Sequence, residues 1–392
     1  MNPIVILSAA RTPLGSFQGS LANVPAPRLG AAAIRGAVDR SGAAASDVTD
    51  VLMGNVLQAG LGQAPARQAA VHAGLPDSVR AVTLHKVCGS GLEAVIQGAR
   101  ALSAEDAGLV VAGGMENMSA SPYLLPKARD GYRMGDQRVV DSMILDGLWD
   151  PYNNLHMGSC AEACAKKYKF SREEQDDYAT ESFRRANSAQ KDGLFAQEIV
   201  PVEVPDAKGA PSTVDQDEGP AKVRYEKIRT LRPAFEKTGT ITAANASTIN
   251  DGAAAVVLAR EDTARQRGWR PWARLVAFGG HAQEPLWFTT APVQAARTAL
   301  ARAGWEPAQV DLWEINEAFA VVPMAFAQEF SLAPDRVNVR GGAIALGHPI
   351  GASGARILVT LVHAMRQRGA RRGVAAICIG GGEGLAACVE LL

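Results

Sequence analysis

At 392 residues the chain is long enough for two or three domains or one large duplicated unit. Hydrophobic residues make up 47% of it, enough for a sizeable core, and Lys plus Arg balance Asp plus Glu at 40 each, so no basic excess marks out a nucleic-acid partner. The five cysteines, at 88, 160, 164, 378 and 388, are odd in number and scattered, which excludes a disulfide framework. Cys160 and Cys164 lie one helical turn apart without a second pair of ligands to complete a zinc site, so no metal is expected. Ile4-Val5-Ile6-Leu7 begins a strand with no basic segment or long apolar run before it, and no run reaches membrane-spanning length. A soluble, reducing, cytoplasmic setting without membrane contact is the expectation.

Short apolar strands then alternate with Ala-rich helical stretches. Ile4–Ser8 reads as a strand, Pro27–Ser41 as a helix stopping near Gly42, Val48–Val56 as a strand and Ala64–Ala73 as a helix. This rhythm predicts α/β layers around a largely parallel sheet. Ala81–Leu84 reads as a strand end, and Leu92, Val95, Ile96, Ala99 and Leu102 recur as one helical face. Cys88 therefore falls at a sharp strand-to-helix turn, between residues whose backbones Gly89 and Gly91 keep open to a ligand. A helix starting there points unpaired N–H groups at the sulfur, which predicts a Cys88 thiolate.

From about 119 to 249 the chain is more polar and rich in proline. Ser171-Arg172-Glu173-Glu174 has capping-box spacing and predicts a helix to about Lys191, stopping near Gly193. Strand signal returns at Ile199–Val204. Such an excursion suits substrate-binding loops.

Beyond it the second half repeats the first. Asp50–Asn55 is similar to Asp311–Asn316, and each is followed by a Gly-rich turn leading into a helix: Cys88 and then Leu92–Leu102, His348 and then Ala355–Arg368. Leu109–Gly114 answers Ala375–Gly381. Three matches in one order imply two related halves about a pseudo-twofold axis, with the Cys88 and His348 turns meeting between them. The predicted division is 1–118 with 250–269 as the first half, 119–249 as an inserted loop domain, and 270–392 as the second half.

Four segments carry the candidate chemistry: the Cys88 turn, Asn316-Glu317-Ala318-Phe319-Ala320, Gly341–Gly354 around His348, and Cys378-Ile379-Gly380-Gly381-Gly382-Glu383-Gly384. Glycine-rich turns present backbone N–H groups that bind oxyanions. In this order and at these separations the four segments resemble the thiolase family, over essentially the whole chain. The resemblance implies a duplicated five-layer αβαβα fold. It also implies an acyltransferase that joins two acetyl-CoA into acetoacetyl-CoA and CoA, reversibly. His156–Glu162, Thr242–Ser247 and Glu284–Phe288 are similar to the mitochondrial type, which accepts 2-methyl-branched substrates.

By that resemblance Cys88 takes the acyl group as a thioester, which splits one hard exchange into two easier ones. His348 activates Cys88 and helps hold the thioester oxygen of the second acyl-CoA. Cys378 is the acid/base, its thiol pKa expected near ~8.5. Asn316 orients a water that forms one oxyanion hole with His348, and the backbone N–H groups of Cys88 and Gly380 form the other. Coenzyme A, a substrate rather than a prosthetic group, is expected against Leu148, His156, Met157, Phe235, Ala243, Ala246, Ser247, Phe288 and Phe319. The chain lacks dinucleotide and P-loop phosphate motifs. Ser121–Leu145 resembles the loop with which relatives make tetramers, so a homo-oligomer, a dimer at least and a tetramer by this loop, is expected.

The chain departs from the family pattern at His85, Glu93, Arg340 and Phe288, at Gly219-Pro220 in a region where relatives place a basic residue, and at Phe183, where the potassium-responsive type has Tyr. Three competing readings share parts of the pattern. A 3-ketoacyl-CoA thiolase of longer chains has the same catalytic residues. A decarboxylating ketoacyl synthase lacks the second catalytic Cys, and a non-catalytic binding relative lacks the intact set.

Overall fold

The computed structural model describes residues 3–205 and 211–392. Strands β1 (Ile4–Arg11), β2 (Asp50–Gly54), β3 (Arg80–Leu84), β4 (Leu109–Asn117), β5 (Asn250–Arg260), β6 (Ala273–Ala282), β7 (Leu312–Ile315), β8 (Arg372–Ile379) and β9 (Glu383–Leu391) belong to one ten-stranded sheet. Their order is β7-β8-β9-β6-β1-β5-β4-β2-β3, and the tenth strand, Gly15–Ser16, pairs with β5. The main helices are α1 (Ala26–Ser41), α2 (Pro65–His72), α3 (Ser90–Ser103), α4 (Met157–Tyr168), α5 (Arg172–Lys191), α6 (Ala291–Ala303), α7 (Val321–Phe330) and α8 (Ile350–Arg368).

The sheet is mixed rather than largely parallel. β2 runs parallel to β3 and β4, and β7 to β8, but the pairings between these outer groups are antiparallel. Two connections cause this. β8 turns directly into β9 through Gly380-Gly381-Gly382, with Gly381 and Gly382 at φ 89° and 86°, a left-handed geometry that glycine tolerates best. β5 begins beside the end of β4, Asp251 opposite Asn117, so the long 119–249 excursion acts as one oversized hairpin connection.

Reading outward from the centre, β1-β5-β4-β2 on one arm matches β6-β9-β8-β7 on the other. The arms join where β1 meets β6, over Ile4–Leu275, Val5–Arg274 and Ile6–Ala273. One apolar core lies between the arms and is filled by α3 and α8. A second lies under α1 and α2, outside the first arm, and a third under α6 and α7, outside the second. The result is the five-layer αβαβα stack. As a middle layer, α8 is buried from Ile350 through Met365, not along one stripe as its sequence period suggests. It crosses α3 closely: a Cβ on Gly91 would stand 2.7 Å from the Ala355 nitrogen, and one on Gly354 2.5 Å from the Leu92 nitrogen.

Strand register corrects one detail of the repeat. Val51 lies opposite Val111, and Leu312 opposite Gly373. With Asp50 matched to Asp311, Asn55 is therefore the counterpart of Asn316, and Glu116 that of Cys378. The neighbouring strands agree: Glu116 pairs with Gly252 just after Asp251, and Cys378 with Gly384 just after Glu383. Gly113 and Gly114 thus match Ala375 and Ala376, not Gly380 and Gly381. Glycine pairs misled the alignment because they serve different ends. Gly113 and Gly114 let backbone from β5 and α8 lie close, whereas Gly380–Gly382 make a turn.

Within the excursion α5 starts as its capping box predicts: the Glu174 N–H donates to Ser171 Oγ at 3.1 Å and the Ser171 N–H to Glu174 Oε2 at 2.7 Å. The strand expected at Ile199–Val204 is Val202–Pro205, paired with Pro211–Val214. Residues 206–210 of that segment, and residues 1–2 of the first half, lie outside the described residues. No described helix is long and apolar enough to cross a membrane, and among the described residues no cluster of His, Cys, Asp and Glu could hold a metal ion.

Candidate active site

The Cys88 turn is built by short-range bonds. Ser90 Oγ accepts from the Lys86 N–H at 2.8 Å and donates to the Val87 carbonyl at 2.6 Å, closing the loop that opens α3. Val87 sits at φ 43°, a left-handed conformation that a β-branched residue rarely takes. Strain of this kind costs of order 1–3 kcal/mol and concentrates at functional sites. Lys86 forms an ion pair with Glu383, directly after the Gly380–Gly382 turn, so the Cys88 turn is tied to the opposite half. Cys88 itself is half-buried and packs against Val56, Leu57, Met118, Met143 and Ile350.

Cys88, His348 and Gly380 line one cavity of about 240 Å3 together with Leu148, His156, Met157, Phe235, Ala246, Ser247, Phe288 and Phe319. Ala243 lines an adjoining cleft of about 610 Å3, which shares Phe235, Ala246 and Ser247 with the cavity. Residues distant in sequence thus meet as the repeat requires. Asn316 and Cys378 are fully buried and do not reach the cavity wall. The aromatic floor is ordered: His156 stacks on Phe235 at 4.7 Å, and Phe319 meets Phe235 edge-on at 6.1 Å and Phe288 at 6.5 Å. Thr248 and Ile249 also line it and were overlooked, although they follow directly on Thr242–Ser247.

Ser353 holds one nitrogen of the His348 ring. Ser353 Oγ lies 2.9 Å from the Pro349 carbonyl and 2.6 Å from His348 Nδ1; with its single proton on the carbonyl it accepts from Nδ1–H. Nε2 is then the bare, basic nitrogen, and it has no protein partner. Asn250 Oδ1 accepts the His348 backbone N–H at 3.0 Å and secures the loop. Burial and the nearby Arg356 guanidinium push the imidazole pKa down to about 3, so it rests neutral. Ser353 and Asn250 were not singled out from the sequence. Their signal is the small polar residue inside a Gly-rich helix start and the Asn that opens β5.

The expected thiolate does not form at rest. Burial raises the Cys88 thiol to about 12, and the negative charge of Glu116 adds to this. The N–H groups of Gly380 and of Cys88 itself donate toward the sulfur and pull the other way. Desolvation outweighs these donors, although α3 begins at Ser90, directly after the Cys88 turn. Cys378 is likewise held well above the usual thiol range by burial and by the neighbouring Cys88, not near the free-thiol value. The pair therefore rests as two thiols beside a neutral imidazole. Asn316 leaves both its amide nitrogen and its oxygen without protein partners although it is fully buried, as a residue that serves a water or ligand would.

Two buried acids were also missed. Glu314, on the strand leading to Asn316, pairs with Arg356 of α8 at 3.0 Å. Glu116, at the end of β4, accepts from Asn55 Nδ2 at 2.7 Å and from the N–H groups of Val56, Leu57 and Gly351 at 3.0, 3.2 and 2.9 Å. Burial raises each acid to about 7. A carboxylate inside an otherwise apolar strand was the signal available.

Residues 4–262 match the family model described as the thiolase N-terminal domain, and residues 269–391 match the thiolase C-terminal domain. The chain is 53% identical over 391 residues to an acetyl-CoA acetyltransferase of Cupriavidus necator, covering all of both chains. Its fold superposes on the acetyl-CoA acetyltransferase of Bacillus anthracis with a TM-score of 0.97 at 38% identity, covering 100% of this chain and 99% of that one. It superposes on the Acat5 thiolase of Ascaris suum in complex with coenzyme A with a TM-score of 0.94 at 45% identity, covering both chains entirely. Matched from end to end in sequence and in fold, the chain belongs to the thiolase family.

Proposed function

We infer that the protein is an acetyl-CoA C-acetyltransferase, joining two acetyl-CoA into acetoacetyl-CoA and CoA and running the reverse cleavage. One observation carries the reading: Cys88 and His348 line one small apolar cavity, Cys378 lies buried with Cys88 as its neighbour, and a wider cleft adjoins the cavity. In the first step Cys88 Sγ attacks the acetyl carbonyl, its proton passes to His348 Nε2, and coenzyme A leaves as it takes that proton. The N–H groups of Cys88 and Gly380, already directed at the sulfur, hold the oxyanion. Each such donor typically contributes about 3 kcal/mol to lowering the barrier.

In the second step Cys378 gives its thiol proton to His348 Nε2 and, as the thiolate, takes a methyl proton of the second acetyl-CoA; the carbanion attacks the acyl-Cys88 carbonyl, the sulfur–carbon bond to Cys88 breaks, and the imidazolium returns its proton to the Cys88 sulfur. His348 Nε2 and a water on Asn316 hold the enolate oxygen. The buried Cys378 thiol suits the cleavage direction directly, because there it donates its proton to the departing carbanion. Leu148, His156, Met157, Phe235, Ala243, Ala246, Ser247, Phe288 and Phe319 hold the pantetheine and acyl parts. The 119–249 segment acts as the loop domain that supplies most of this wall, between halves 1–118 with 250–269 and 270–392. Phe288, fully buried in the acyl end, supports the branched-substrate reading of the mitochondrial type. Tyr123, Leu125, Met134, Val139 and Leu145 leave apolar surface exposed along one stretch, which supports a tetramer. Five unbridged cysteines support a reducing, cytoplasmic compartment.

Cys88→Ala is expected to abolish acyl-enzyme formation while coenzyme A still binds, read by mass spectrometry after acetyl-CoA and by calorimetry. Acylation surviving in that variant overturns the reading. Thiolysis rates for acetoacetyl-CoA, 2-methylacetoacetyl-CoA and a longer 3-ketoacyl-CoA, side by side, decide acyl preference, and light scattering decides the tetramer.

A further inference from the structure

The pseudo-twofold symmetry places a second acid where no reaction step uses one. Asn316 and Cys378 serve the chemistry from the second half, and their counterparts by strand register are Asn55 and Glu116. Glu116 is fully buried, yet four donors converge on its carboxylate. Three come from the Asn55-Val56-Leu57 segment of the first half. The fourth is the Gly351 N–H, in the first turn of α8, on the second half. The residue before α8, Pro349, offers no side-chain cap, so Glu116 supplies from across the molecule the negative group that a helix start favours.

The two elements it joins both bear on the nucleophile. Val56, Leu57 and Ile350 form the apolar wall against which Cys88 packs. His348 stands two residues before Ile350, at the mouth of the same helix. Glu116 is therefore bonded to the backbone on both sides, to the loop that packs against the thiol and to the helix start that follows the imidazole.

Its charge faces groups that carry little net charge of their own. Among the described residues around Cys88 and His348, His348 and His156 are held neutral by burial, Arg356, whose charge also depresses His348, pairs with Glu314, Cys378 is held as a thiol, and Lys86 pairs with Glu383. Glu116 is the charged group that acts on the Cys88 sulfur, and it opposes the thiolate. We propose that Glu116, with Asn55, is a positioning residue for the Cys88–His348 pair: its carboxylate clamps the Val56–Leu57 loop to the start of α8, close enough for its charge to act on the Cys88 sulfur. This rests on Cys88 being the nucleophile.

The test separates charge from reach. Cys88 alkylation by iodoacetamide is followed against pH above about 8, where the Glu116 carboxylate is ionised, with the labelled peptide identified by mass spectrometry. In Glu116→Gln the alkylation profile moves down by about one pH unit, and kcat for acetoacetyl-CoA thiolysis falls by roughly 10–100-fold with little change in KM. Glu116→Asp keeps the charge but shortens the reach, so the profile stays with the wild type while kcat still falls. A merely structural role would lower kcat in both and move the profile in neither, and that result overturns the proposal. Asn55→Ala removes one of the four donors and is the milder variant, should both Glu116 variants fail to fold. A kcat about 10-fold below wild type at unchanged KM supports the clamp, and wild-type kcat overturns it. A label found on another cysteine in active wild-type enzyme defeats the nucleophile assignment and this proposal with it. A label on Cys88 with an unmoved Glu116→Gln profile defeats this proposal alone.

Discussion

At the scale of single residues the site is a set of neutral groups waiting for substrate. Cys88, Cys378 and His348 are all held in their uncharged forms by burial, so the thiolate and imidazolium arise during the reaction. This has a direct consequence for reactivity. Alkylation of Cys88 in the ligand-free enzyme is expected to climb with pH without levelling near ~8.5, the free-thiol value. A plateau there, seen in a stopped-flow or mass-spectrometric rate profile, would show that the helix start governs the sulfur after all. Ser353 is the second case. Its hydroxyl sets which His348 nitrogen is bare, so Ser353→Ala is expected to cut kcat by about 10–100-fold while coenzyme A affinity stays near wild type. A kcat within about twofold of wild type would assign the tautomer to some other contact. Cys378→Ser is expected to leave acylation of Cys88 intact and to slow carbon–carbon bond formation by about 100-fold or more, the usual size of a lost acid/base. Equal loss of both half-reactions, measured separately, would place Cys378 in the first step instead.

At the scale of elements the decisive contact is the crossing of α3 and α8. Each helix delivers one proposed reacting group from its start, and Gly91 and Gly354 let their backbones approach. Gly91→Ala has no free space to fill, so it is expected to destabilise the fold by roughly 1–3 kcal/mol, as overpacked cores do. Activity should fall further than folding alone explains, because the two starts are forced apart. Denaturant melts alongside kcat check this; a variant with wild-type stability and rate would show that the crossing yields easily. Much of this layer was legible in the sequence: the turns at Cys88 and His348, the helices after them and the α5 capping box stand where residue pattern puts them. Strand direction was not, because alternation of strands and helices does not reveal that β8 and β9 join by a tight turn. Nor was the all-round burial of α8, since a helix between the two arms of the sheet hides a polar face behind bonds such as Arg356–Glu314, which a period cannot show.

At the scale of the whole molecule, buried ionisable groups link the site to stability. His348 is depressed from 6.5 to about 3, so its contribution is full above pH 6.5 and is lost as pH falls toward 3. Glu116 is raised from 4.5 to about 7, so its contribution is full below pH 4.5 and is lost as pH rises through 7. Replacing His348 by Asn is therefore expected to narrow the acid sensitivity: relative to wild type the variant gains up to about 1.4 kcal/mol for each pH unit below 6.5. Urea melts at a few pH values decide it, and parallel curves would mean that the imidazole is not desolvated. The duplication itself was legible, as were the catalytic candidates, because glycine-rich turns punctuate the sequence. Glu116 and Asn55 were hidden by the same symmetry, since their place becomes visible once strand register replaces the matching of glycines.

The shared walls of the cavity and the outer cleft impose an order on traffic. On the proposed function, a thioester arm that reaches Cys88 lies against Phe235, Ala246 and Ser247, which line both the cavity and the cleft, and the next arm needs the same walls. The departing carrier has to clear the passage before its successor arrives, so the two half-reactions queue instead of meeting in a ternary complex. Double-reciprocal plots for the cleavage of acetoacetyl-CoA at several fixed coenzyme A levels should run parallel, and lines that converge would reveal a second way in.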